Sequence, residues 1–164
     1  MAAEIFEDAD AFAAALPPAG RLLGIDLGSK TIGLAVTDPA RTIATPVDTL
    51  ARGKFSNDAA TLHEIMEREG VVAIVIGLPL NMDGSSGSRV QATRAYARNL
   101  LARLPRPVLL WDERLTTIAA ERMLIEADAS RARRRSVIDK LAATLILQNA
   151  TDRLRANGLT SDLK

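Results

Sequence analysis

Three acids stand where the chain otherwise builds apolar structure: Asp26 inside "LLGIDLG", Glu113 just past "VLLW", and Asp139 near the start of the last helical pattern. Ionised carboxylates are rarely buried unless they are paired or bound to a metal. Two of them about 5 Å apart repel by roughly 3 kcal/mol at an effective dielectric near 20. If the strands carrying Asp26 and Glu113 lie close together, and the last helix packs across them, the three acids meet and must hold either protons or a cation. Hard oxygen donors favour Mg²⁺ or Mn²⁺, ions that commonly work with one or two carboxylates plus substrate phosphates. Two such ions roughly 4 Å apart activate water and stabilise the leaving oxygen of a phosphodiester.

Each acid also has a plainer role. Asp26 could be a satisfied polar group at a hairpin, although its face carries only Gly24 and Gly28 opposite Thr31, Gly33 and Ala35. A face that small leaves room for something to approach, whereas a packed core face is filled. Glu113 could pair with Arg114 or sit solvated at a strand end, and Asp112 competes with it for the same role. Ser136-Val137-Ile138-Asp139 resembles a capping box with Asp in place of the usual Glu.

Cations stand near these acids. Arg131, Arg133, Arg134 and Arg135 precede Asp139 in "RARRRS". Four duplex phosphates met by four arginines contribute about −3.6 to the logarithmic salt slope; a solvated loop contributes nothing. Lys30, in the turn after Asp26, and Arg114, beside Glu113, are either phosphate contacts or ordinary surface charges. The "NMDGSSGS" loop could clamp a backbone through amides and hydroxyls, or simply turn the chain, with Ser85 or Ser86 capping the next helix. His63, the one histidine, lies on the polar side of a helical pattern, and there is no cysteine, so thiol or histidine chemistry has little material. Tyr96 and Trp111 read as packing residues, and an aromatic content of 3% argues against stacking-led binding of single strands.

The elements that must position these residues follow from periodicity. Residues 4–16 predict a short amphipathic helix, ended by Pro17-Pro18 and Gly20, that docks on the body or frays. A hairpin follows, with Leu23, Ile25 and Leu27 on one face beside Ile32, Leu34 and Val36. Residues 43–50 form a third strand whose Pro46 suits a sheet edge. Then come a helix over 56–69, a doubly covered strand over 71–78, a helix over 89–104, a strand over 108–111, and helices over 116–127 and 136–156 separated by the arginine run. The order predicts an α/β fold: a mixed five-stranded sheet, three antiparallel strands then two parallel, flanked by helices. Residues 1–20 read as a helical extension, 21–156 as one domain and 157–164 as a tail.

Length and composition fit this reading. The 164 residues, 48% hydrophobic and 25% charged, make an ordinary globular domain. No apolar run approaches a membrane span and no secretory pattern opens the chain, so a cytoplasmic location is the default expectation. The net charge of +1 is unevenly spread: residues 1–20 hold four acids and no Lys or Arg, so the rest carries 21 basic against 16 acidic side chains. A mildly basic body is compatible with a polyanionic partner.

Four blocks in order, "GIDLGSKTIGLAVTD", "IVIGLPLNMDGSSGSR", "DERLTT" and "SVIDKLAATLILQ", resemble the YqgF-type family across about residues 22–153. Its members are described as pre-16S ribosomal RNA nucleases or Holliday junction resolvases with an RNase H-like fold. The resemblance implies Asp26, Glu113 and Asp139 as the metal-binding catalytic set, and a metal-dependent endonuclease maturing the 5′ end of pre-16S rRNA or cutting branched DNA. Paired cleavage of a junction would suit a homodimer; trimming an RNA end would not require one. Two readings compete. "GIDLGSKTIG" is also similar to the phosphate hairpin of actin-like and sugar-kinase-like ATPases, which need a second lobe this length does not provide. A noncatalytic nucleic-acid-binding module is the other, and retention of all three acids weighs against it.

Overall fold

The computed structural model describes residues 3–81, 83–115 and 131–162, with side chains described as far as 115 and again over 141–156. The helix expected over 116–127 lies outside the described residues. Eleven segments follow one another: β1 (Ile5–Phe6), α1 (Ala9–Ala15), β2 (Arg21–Leu27), β3 (Thr31–Thr37), β4 (Ala44–Ala51), α2 (Phe55–Glu69), β5 (Val71–Leu78), α3 (Ser88–Arg103), β6 (Val108–Asp112), a 3₁₀ turn (Glu113–Leu115) and α4 (Arg131–Asp162).

One mixed sheet takes the order β1-β6-β5-β2-β3-β4. The hairpin pairs β2 with β3 antiparallel, and β4 extends it antiparallel as an edge strand. Its register shifts between Leu34 and Ala35, opposite Asp48 and Pro46; a residue without an N–H is tolerated at such an edge. On the other side β5 lies parallel to β2, and β6 parallel to β5. The five expected strands are all present, and β1 makes a sixth.

That sixth strand corrects the expectation of one helix over 4–16. Ile5 and Phe6 pair with Val108 and Leu109, because the outer edge of β6 offers backbone partners that a helix would forgo. Asp8 then starts α1, its carboxylate accepting from the N–H groups of Asp10 and Ala11. Phe12 is fully buried, edge-on to Phe6 at 5.9 Å, so this segment docks rather than frays.

The period-2 pattern of the hairpin decides which helices cover which face. Leu23, Ile25, Leu27, Ile32, Leu34 and Val36 pack with Leu62, Ile65 and Met66 of α2 and Val90, Ala97 and Leu100 of α3. Leu22, Ala35, Ala73 and Val75 face Phe12 of α1 and Ala142, Ala143, Ile146 and Leu147 of α4. The result is three layers, helix pairs on both sides of the sheet.

α4 begins earlier than expected. Arg131 to Arg135 are helical rather than a connector, since arginine is a good helix former. The helix also continues to Asp162, past the predicted end near 156. Among the described residues, no helix is long and apolar enough to cross a membrane.

Candidate active site

Asp26 is only 4% exposed, one residue from the end of β2. It pairs with Gly33 on β3, and lies one step beyond the Ile25–Ile76 pair, level with Gly77 of β5. Two glycines therefore flank the acid on neighbouring strands, and Gly24 precedes it on its own face. At Gly24 and Gly77 the room is used by the molecule itself. A Cβ on Gly24 would stand 2.7 Å from Leu147 Cβ and 3.1 Å from the Ala143 carbonyl, so here the small face admits the backbone of α4. A Cβ on Gly77 would stand 2.6 Å from Glu113 Oε1. Glu113, which follows β6 directly, thus leans across β5 on the face that carries Asp26. With strands about 4.8 Å apart, the two acids converge over Gly77. Sequence reasoning missed Gly77 because its neighbours are known only once the register is; the signal available was a glycine inside an otherwise apolar strand.

Asp112 and Arg114 form a separate unit. Arg114 donates Nε and Nη2 to the Asp112 carboxylate at 2.7–3.1 Å, and its backbone N–H donates to Oδ1 at 2.9 Å. The guanidinium holds the Asp112 carboxyl below the usual carboxylate range, mainly through these side-chain hydrogen bonds. Arg114 therefore pairs with Asp112, the neighbour that competed with Glu113. Its Nη1 lies over Gly84, 3.2 Å from where a Cβ would stand, and so touches the loop before α3.

That loop is a tight turn in which serine serves differently than expected. Ser85 donates its N–H and Oγ to Asp83 Oδ1 at 2.8 and 2.6 Å, lowering the Asp83 pKa. Asn81 donates to Ser85 Oγ, and Gly84 takes φ +85°. Among the described residues no side chain caps α3, which starts after Gly87. Tyr96 and Trp111 are buried, as packing residues would be, and His63 is exposed on α2.

Asp139 and the four arginines lie on α4, their side chains outside the described ones. The backbone alone removes one alternative for Asp139. Ser136 is helical and follows at least a turn of helix, so it is no N-cap and the capping-box role fails. The direction of α4 also bears on position 139. Gln148 meets Thr42 and Ala44, beside the start of β2, while Leu147 and Ala143 cover Gly24. The helix therefore runs against β2. Four residues back from Ala143 is about 6 Å of helix, and two residues on from Gly24 is about 6.6 Å of strand. Positions 139 and 26 are then at the same level. Among the described residues no three acidic, histidine or cysteine side chains form a metal-binding group, Asp139 being outside that set.

A family model described as "RuvX: Holliday junction resolvase" matches residues 20–153. The chain belongs to the RuvX family. Its similarity to curated relatives is high: 60% identity over 150 residues, 92% of this chain and 94% of the relative, with a "Putative pre-16S rRNA nuclease" of Cereibacter sphaeroides. A protein of the same name from Methylocella silvestris is 57% identical over 94% of this chain and 96% of its own. Among solved structures, Thermus thermophilus RuvC in complex with a Holliday junction substrate superposes with a TM-score of 0.52, covering 84% of this chain and 96% of that one at 14% identity. That likeness places the RuvX chain in the RuvC-like, RNase H-like fold.

Proposed function

We propose that this RuvX-family protein is a divalent-metal endonuclease that hydrolyses phosphodiesters of structured nucleic acid, acting in 5′-end maturation of pre-16S rRNA in the cytoplasm. One observation carries the chemistry: a carboxylate buried at the end of β2 among glycines, with a second acid leaning towards it over Gly77. The relatives' names support the RNA substrate.

Asp26 and Glu113 fit Mg²⁺ or Mn²⁺ as hard oxygen donors, and Asp139 completes the set in this reading. Bound in a pair, such ions lower the pKa of water and neutralise charge on a phosphodiester. The chain's own residues do the rest. Asp26 and Glu113 fix where positive charge is concentrated, and the sheet keeps them rigid. Lys30 in the β2–β3 turn and the arginines of α4 attract the phosphate backbone. Arg114, oriented by Asp112, meets phosphates beside Glu113. The family description favours a second substrate, a branched DNA junction.

The test is cleavage by purified protein with Mg²⁺ or Mn²⁺ of a precursor 16S rRNA 5′ region against a four-way DNA junction, Asp26→Asn serving as the blank. RNA cleavage lost in the variant is the expected result. Junction cleavage by a dimer moves the substrate to DNA. Cleavage of neither, with parent and variant alike, refutes the nuclease.

A further inference from the structure

Arg52, which no motif singled out, stands one residue beyond β4 and reaches the turn that follows Asp26. Its backbone N–H donates to the Lys30 carbonyl at 2.8 Å, and its Nη1 donates to the Gly28 carbonyl at 2.7 Å. Its guanidinium lies over the ring of Tyr96, 5.4 Å from the centroid. Tyr96 is itself fixed: 5% exposed and edge-on to Phe55 at 5.4 Å. Burial, helped by the nearby Asp58 carboxylate, pushes its hydroxyl pKa up to about 12, so the ring stays neutral.

These contacts orient the group without neutralising it. A carbonyl and an aromatic face leave the guanidinium its full charge, whereas Arg114 is matched by the Asp112 carboxylate. Asp58, six residues along the chain, accepts from the Gly53 N–H, and among the described residues Arg52 forms no ion pair with it. Arginine presents five donors in a planar fork, and Arg52, exposed, uses one of them here. Gly28 is two residues past Asp26, about 6.6 Å of strand. A pre-oriented, charged fork at that distance has the chemistry of a phosphate contact.

We propose that Arg52 binds a backbone phosphate of the nucleic-acid strand that crosses the end of β2. The assignment rests on the nuclease reading for its substrate but on binding alone for its test. Affinity for the rRNA 5′ region and for the four-way junction is measured in EDTA over a range of salt. Arg52→Gln keeps a polar, planar side chain and removes the charge; Arg52→Lys keeps the charge and removes the planar stack. Arg52→Gln is expected to flatten the logarithmic salt slope by about 0.9 on duplex or 0.7 on single strands, and Arg52→Lys to preserve it. Thermal melts of both variants establish that they are folded. A slope unchanged in folded Arg52→Gln reduces Arg52 to a clamp on the turn and overturns the proposal, while parental cleavage leaves the nuclease reading standing. Binding that depends on Arg52 in a parent that cleaves nothing has the opposite meaning: the contact is real and the nuclease is not. A parent that binds neither polymer ends both.

Discussion

At the scale of single residues, the candidate site depends on a side chain that is absent. Gly77→Ala places a methyl 2.6 Å from both Glu113 Oε1 and Ile146 Cδ1. Both atoms are the ends of flexible side chains, so the methyl costs little in stability, but the Glu113 carboxylate has to shift over β5. Cleavage is expected to fall at least tenfold with only a modest drop in melting temperature; unchanged cleavage would show that Glu113 does not act from there. Asp38 gives a prediction in pH. Its carboxylate accepts from the Thr42 hydroxyl and from the N–H groups of Thr42 and Ile43, which lower its pKa to about 2. An unfolded Asp titrates near about 3.9. The folded value is the depressed one, so its stabilising contribution is complete above about pH 4 and is lost as pH falls towards 2. Urea midpoints at pH 6 and pH 3 should differ less in Asp38→Asn than in the parent. Asp26 was legible in the sequence because a carboxylate among apolar residues contradicts its surroundings. Gly77 was not, because nothing local distinguishes a glycine that makes room for Glu113 from one that merely turns the chain.

At the scale of elements, periodicity spoke clearly where a segment is long and one-sided. β5 and α2 lie where apolar runs and helical spacing put them, and Pro46 marked the edge strand correctly. Two segments escaped for different reasons. β1 is two residues long, and its pairing is decided by a vacant edge on β6 about a hundred residues away, which no local window contains. The arginine run hid the early turns of α4, since a charged stretch looks like a solvated connector whichever backbone it adopts. The docking of α1 can be tested directly. Phe12 is fully buried against the face formed by Leu22, Trp111 and α4. Phe12→Ala is expected to cost about 3–5 kcal/mol of global stability, read from urea denaturation as one shifted transition. A small separate transition with the main one unmoved would make the extension an independent appendage.

At the scale of the molecule, the topology decides which charges gather near the candidate site. The acidic first 20 residues are tied to the body by Glu7–Arg94 at 2.7 Å and Asp10–Arg153 at 3.6 Å, ion pairs that set their charge against local cations. The β2–β3 turn with Lys30, and Arg52 bonded to it, lie at the carboxyl end of β2, where ligands of open α/β sheets commonly bind. Global composition showed a mildly basic body, but only the topology shows which cations share an end with the acids. The path of α4 has one more consequence. Ala44 and Gln148, which help fix that helix on the sheet, are 104 residues apart in the chain. Gly24 has no cover until Ala143 and Leu147 of α4, more than a hundred residues later, have been made. Closure over so long a span slows folding. A nascent chain stalled before α4 would expose a bare sheet face, the surface chaperones and proteases recognise, and would carry Asp26 with no partner helix. Synthesis itself would thus act as a safeguard: the proposed cutting centre is assembled only once α4 has been made.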